Sequence, residues 1–231
     1  MLYRHELKFE VSDIELKEIE YRLKPLMKRD SNQVNEYYVI RSLYFDDYRD
    51  SCFEENMAGS DNRSKYRIRI YDGSSELIKL EKKSKYRGMT QKSASSISKE
   101  ICSSYMDIAN VTQIPFGGFI SDLEKELWVR SQTSLMRPKC IVEYERNAFT
   151  LKDGNVRITF DRNIRGSLNI RDFFEERIDA KPVLESGRHI LEVKYDEFLP
   201  SYILQAIDLG RLRRQSFSKY ASVRMALDKR V

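Results

Sequence analysis

Residues 65–71 read KYRIRIY, and this alternation constrains the chain more than any other stretch. Side chains on a strand point to opposite faces in turn, so Lys65, Arg67, Arg69 and Tyr71 share one face while Tyr66, Ile68 and Ile70 share the other. The pattern returns with Lys79, Glu81 and Lys83 against Ile78 and Leu80, then with Tyr144 and Arg146, with Arg157, Thr159 and Asp161, and with Glu192 and Lys194. Residues 3–11 alternate as well, placing Arg4, Glu6, Lys8 and Glu10 opposite Tyr3, His5, Leu7, Phe9 and Val11. A sheet whose polar face meets water accounts for any one such strand. The repeated use of Arg, at 67, 69, 146 and 157, favours a charged interior instead, because guanidinium offers a fixed fork of donors that matches phosphate oxygens. Glu6, Glu81, Asp161 and Glu192 then have two readings. They are ion-pair partners, or they hold Mg²⁺ or Mn²⁺ against phosphoryl oxygens.

The rest of the chain supplies further strands and helices. Ser12 with Glu15 forms a capping box, and Ile14, Ile19, Leu23 and Leu26 continue a helical spacing to about residue 27. Strands are expected at residues 37–45, 65–71, 76–83, 139–149, 155–163 and 188–196, with a turn at Asp72-Gly73-Ser74-Ser75 and a further strand after Gly88. Helices are expected around residues 51–57, 98–110, 119–134, 201–209 and 218–229, the third and second of these split by Pro115-Phe116-Gly117-Gly118. Leu123, Leu127 and Trp128 read as core, as do most of the tyrosines around Tyr37, Tyr38, Tyr44 and Tyr48. With 231 residues and no repeat or linker, one domain is expected, a β-rich barrel with helices around it.

Composition narrows the chemistry. The 41 basic and 36 acidic residues leave a net charge of +5, which permits an anionic partner without selecting one. Cys52, Cys102 and Cys140 are too far apart for a disulfide framework or a zinc site and suit a reducing cytoplasm. His5 and His189 stand alone, as packed or surface residues, and no apolar stretch reaches the ~20 residues of a membrane span. The glycine-rich phosphate cradles, the GxSxG elbow and HExxH are absent, so a nucleotide here would be held by charged walls. Nucleic acid is not expected, since no basic, aromatic stripe stands out.

RHELKF, SLYFD, KYRIRIY, KLEKK, VEYER, VRITFD, LEVKY and FSKY, in that order, resemble the polyphosphate polymerase domain of the vacuolar transporter chaperone (VTC), a triphosphate tunnel metalloenzyme. The resemblance spans nearly the whole chain. It implies an α+β fold, an antiparallel β-barrel tunnel of about eight strands with peripheral helices, and transfer of the ATP γ-phosphoryl onto a growing polyphosphate chain with Mn²⁺ or Mg²⁺. It implies that Lys8, Arg67, Arg69, Lys79, Arg146 and Arg157 carry catalysis and, with Tyr144, Lys194 and Lys219, bind phosphate, while Glu192, Glu6 and Glu81 face the metal. ATP and polyphosphate are the implied ligands, with a membrane-anchored protein as an implied partner. Two departures stand out: Arg4 occupies the first Glu position of the superfamily's ExExK strand, and Ser216 stands where active polymerases carry a further Lys, leaving Arg213 or Arg214 to substitute. A tunnel triphosphatase and a non-catalytic polyphosphate-binding module are the alternative readings.

Overall fold

The computed structural model describes residues 5–31, 33–86, 89–107 and 118–228. Arg4, Gly88 and Pro115-Phe116-Gly117 lie outside them. The chain divides into two compact units. The first comprises residues 1–39, 144–164 and 182–217, and the second residues 40–143, 165–181 and 218–231.

In the first unit, β1 (His5–Ser12) pairs antiparallel with β10 (Arg188–Tyr195), and β10 pairs antiparallel with β8 (Val156–Ser167). The next strand is β7 (Arg137–Leu151), whose far end also takes the two-residue β2 (Lys28–Arg29). α1 (Asp13–Leu23) starts at the expected capping box: the Ser12 hydroxyl accepts from the Glu15 backbone N–H, and the Ser12 backbone N–H donates to the Glu15 carboxylate at 2.7 Å. Its phase differs from the expectation. Leu16, Ile19 and Leu23 are buried, whereas Ile14 is 79% exposed and Leu26 38%. Ile14 belongs to the first turn but falls off the i, i+3, i+4 stripe that Leu16, Ile19, Glu20 and Leu23 share. α1 packs on α5 (Ser201–Ile207), and its stripe joins Phe9, Val11, Ile158, Phe160, Leu191 and Val193 in one apolar core.

In the second unit, β3 (Tyr38–Asp46) lies beside β7 and pairs with β4 (Arg63–Tyr71), which pairs with β5 (Ser74–Tyr86) and that in turn with β6 (Met89–Ser96). All the described pairings there are antiparallel. The turn between β4 and β5 is shorter than the four residues expected. Tyr71 pairs with Ser74, so only Asp72 and Gly73 form the loop, both at positive φ (49° and 70°), the twist that a tight hairpin needs. Among the described residues, four α-helices belong to this unit: α2 (Ser51–Met57), α3 (Lys99–Met106), α4 (Asp122–Thr133) and α6 (Lys219–Leu227). Tyr66, Ile68, Ile70 and Leu80 are fully buried, as the alternation demands, and so is Leu127 on α4. Trp128 is only half-buried. Tyr44 is buried, while Tyr37 and Tyr48 are exposed. The strand β9 (Lys181–Pro182) pairs with β8.

Candidate functional sites on two charged faces

The second unit presents the charged face of the β4–β5 hairpin. Arg67 lies directly opposite Glu81, Arg69 opposite Lys79 and Lys65 opposite Lys83, while β6 sets Lys92 opposite Lys83. Arg67 donates from Nε to Glu81 Oε2 at 2.7 Å and from Nη1 to the Tyr44 hydroxyl at 2.9 Å. Arg69 approaches the same carboxylate at 3.7 Å, and Lys92 pairs with its other oxygen. Burial pushes the Glu81 carboxyl upward, yet Arg67, Arg69 and Lys92 outweigh it and hold the group at about 2. Burial lowers the Lys92 ammonium, against the pull of Glu81. Lys79 sits over the Tyr71 ring, its Nζ 5.9 Å from the centroid. Lys65 reaches Asn56 and, at 2.8 Å, the Ser218 hydroxyl, which also caps α6 at Ala221. Lys219, the first residue of α6, is half-buried.

Behind this face a second set of groups fixes it. Tyr220 stacks on Tyr44, with ring centroids 5.3 Å apart, and donates its hydroxyl at 2.6 Å to Asp46. Asp46 also accepts the backbone N–H groups of Cys52 and Phe53 at the start of α2. The helices α2 and α6 thereby set the tyrosine that holds Arg67.

The first unit gathers a second charged face around Glu192. The register places Lys8 and Thr159 opposite Glu192 on its two neighbouring strands, and Glu6 and Arg157 opposite Lys194. Glu192 lies 3.2 Å from Lys194 Nζ, 3.6 Å from Arg146 and 3.8 Å from Lys8. Lys8 also lies 3.2 Å from Glu6 and donates at 2.9 Å to the Phe217 carbonyl. Burial would raise the Glu192 carboxyl, but Lys194 and Lys8, a hydrogen bond shared with Glu6, and Arg146 hold it well below the usual carboxylate range. Arg146 is committed more deeply than a ligand waiting for substrate. It grips Asp161 with two parallel bonds, of 2.6 and 2.8 Å, and lies over the Tyr144 ring. Arg157 is anchored by Asp30 at 2.7 Å and by the Tyr38 hydroxyl at 3.3 Å.

The sequence-derived residues therefore fall into two groups: Lys8, Glu6, Tyr144, Arg146, Arg157, Glu192 and Lys194 in the first unit, and Arg67, Arg69, Lys79, Glu81 and Lys219 in the second. Sequence reasoning missed Lys92, which closes the ring of cations on Glu81, and Asp30, which holds Arg157. Lys92 carries no signal of its own, since β6 reads as a polar stretch, and its place emerges only from the β5–β6 register. His5 is exposed and stacks on Tyr195, and His189 is buried and bonds to Asp13, one at the surface and one packed. All three cysteines are buried and free. Among the described residues no helix is long and apolar enough to cross a membrane.

Comparison with known proteins bears on these faces. The VTC domain profile matches residues 3–227. The chain belongs to the VTC domain family. Membership supports a polyphosphate-related or triphosphate-tunnel-type function. Among solved structures, a candidate adenylate cyclase from Bacillus halodurans is 11% identical over 94% of this VTC-domain chain and 94% of its own, with a TM-score of 0.53, a likeness of fold. PH1819 protein from Pyrococcus horikoshii OT3 is 15% identical over 98% of this chain and 99% of its own, with a TM-score of 0.47. No curated protein matches the chain.

Proposed function

We propose that this VTC-domain chain is an ATP-dependent polyphosphate polymerase. One observation carries the reading: Lys65, Lys83 and Lys92 lie side by side on three neighbouring strands, and Arg69 lies directly opposite Lys79. Like charges placed opposite each other across strands weaken a sheet. Such rows are stable in the presence of a polyanion whose charge lies between them, and a phosphate chain repeats its negative charge at every link. Phosphoryl transfer asks for this arrangement, because the transferred group passes through a loose transition state whose charge spreads over its oxygens. Each unit carries cations of the kind such a group needs: Arg67, Arg69 and Lys79 on the face of one, and Lys8, Lys194 and Arg157 on the face of the other. Arg146 acts mainly by holding Asp161 and Glu192 in place, with Tyr144 beneath it.

The acids differ in how well they fit a divalent cation. Lys8 lies 3.2 Å from Glu6 and 3.8 Å from Glu192, and a hard cation suits two carboxylates gathered around one point in this way. Among the described residues no group of three or more acid, histidine or cysteine side chains is placed for a metal. Mg²⁺ or Mn²⁺ would be held by one or two carboxylates, with phosphate oxygens and water as its remaining ligands. When bound, the ion neutralises charge on the phosphoryl oxygens. Glu81 fits less well, since Arg67, Arg69 and Lys92 already surround its carboxylate, and we assign it to ordering those cations.

The test is the product. Purified protein incubated with ATP and Mn²⁺ should yield long-chain polyphosphate and ADP. Orthophosphate and ADP without polymer would identify a triphosphatase instead, and tight polyphosphate binding without turnover would identify a binding module.

A further inference from the structure

Thr159 stands out among the groups around Glu192. Its side chain is 1% exposed, and its hydroxyl has no hydrogen-bonding partner in the protein. Buried hydroxyls are nearly always bonded, and a valine would fill the same space on a strand without leaving a polar atom idle. The register gives the hydroxyl a place: Thr159 lies opposite Glu192 and shares its face with Arg157 and Asp161 on either side. A second donor is idle beside it. Arg157 Nε is buried without a partner, while Asp30 and Tyr38 fix the far end of the same guanidinium.

We propose that Thr159 is a substrate-binding residue whose hydroxyl, together with Arg157 Nε, donates to a non-bridging phosphoryl oxygen of a phosphate chain. The proposal rests on the phosphate-binding reading above and names a contact within that site. Two neighbouring donors set among Lys8, Lys194 and Arg146 suit an oxygen anion, whereas a cation would go to Glu6 and Glu192. A hydroxyl adds a directed bond without adding charge, so it distinguishes a correctly seated phosphoryl group from any anion drawn in by the field.

The probe is inorganic tripolyphosphate, titrated calorimetrically into the full chain without metal, alongside thermal melting. Thr159→Val should weaken binding roughly ten-fold or more, the scale of one hydrogen bond to a charged group, and leave the melting temperature unchanged or slightly raised. Thr159→Ser, which restores the hydroxyl, should bind within about three-fold of the wild type. Equal affinity in Thr159→Val and wild type overturns the assignment while leaving the functional reading intact. A lower melting temperature, or failure to fold, in Thr159→Val also overturns it, because the hydroxyl would then have had a partner within the protein. Wild-type protein that takes up no tripolyphosphate overturns the functional reading and this assignment together.

Discussion

The two charged faces share a plan and differ in balance. Each centres on a buried carboxylate ringed by three cations: Glu192 by Lys194, Lys8 and Arg146, and Glu81 by Arg67, Arg69 and Lys92. Around Glu192, Glu6 and Asp161 nearly match the cations, and Arg146 is spent on Asp161. Around Glu81, among the described residues of that face, one acid stands among Lys65, Arg67, Arg69, Lys79, Lys83 and Lys92. Acids and cations are nearly balanced along the strands of the first, whereas cations are in excess along those of the second. Under the proposed function, the first is the place for the cation and the second for the polyanion.

The largest effect should come from Arg146→Ala. Asp161 is fully buried, and removing its bidentate partner leaves a buried charge uncompensated, a loss of about 3–5 kcal/mol. Arg67→Ala should cost far less stability, since its guanidinium is partly exposed, and should show instead as weaker tripolyphosphate binding. Equal melting temperatures for the two variants would erase the distinction between the faces.

Glu192→Gln comes next. Turnover with Mn²⁺ should fall on the order of 100-fold, with the half-saturating metal concentration raised, whereas Glu81→Gln should leave that concentration unchanged. A normal metal requirement in Glu192→Gln would move the cation elsewhere.

Acid should separate the faces further. Glu81 is held at about 2, below its ordinary value near 4.5, so its share of stability is present above that value and is lost as pH falls from about 4.5 towards 2. The share is roughly 3 kcal/mol, and Glu192, also held low, adds in the same direction. In Glu81→Gln the melting temperature should therefore fall less steeply across that window. An unchanged slope would mean that the three cations do not stabilise the ionised form.

The smallest effect tests the lysine row. Lys83→Met should relieve repulsion from Lys65 and Lys92 and raise stability by about 0.2–1 kcal/mol in phosphate-free buffer, while weakening tripolyphosphate binding. A destabilised variant would show that Lys83 serves the fold.

Legibility in the sequence followed distance along the chain. KYRIRIY and KLEKK announce their facing because a strand's period is visible within seven residues, and Arg67 and Glu81 meet across a short turn that the sequence marks with Asp72-Gly73. The Arg146–Asp161 grip was hidden although both residues had been placed on charged faces, since nothing local tells a guanidinium whether its partner will be a carboxylate or a phosphate. Asp30 sits in a segment with no periodic pattern, and its role depends on where β8 passes. The phase of α1 slipped because Ile14, an apolar residue just after a well-marked cap, looks like the first residue of a stripe that in fact starts at Leu16.

The two-residue turn at Asp72-Gly73 also has a kinetic consequence. Closing so short a loop costs little chain entropy, and hairpins form within about 1–10 μs, so Arg67 and Glu81 can meet early. Lys8 and Glu192 come from opposite ends of the chain and must wait for the slower search that long-range pairing imposes. Pulse-labelled hydrogen exchange during refolding should protect the amide of Ile68 before that of Leu191, and the reverse order would refute this sequence of events. A chain still emerging from the ribosome would then present its cation-rich hairpin before β8 and β10, which complete the balanced face, have been made.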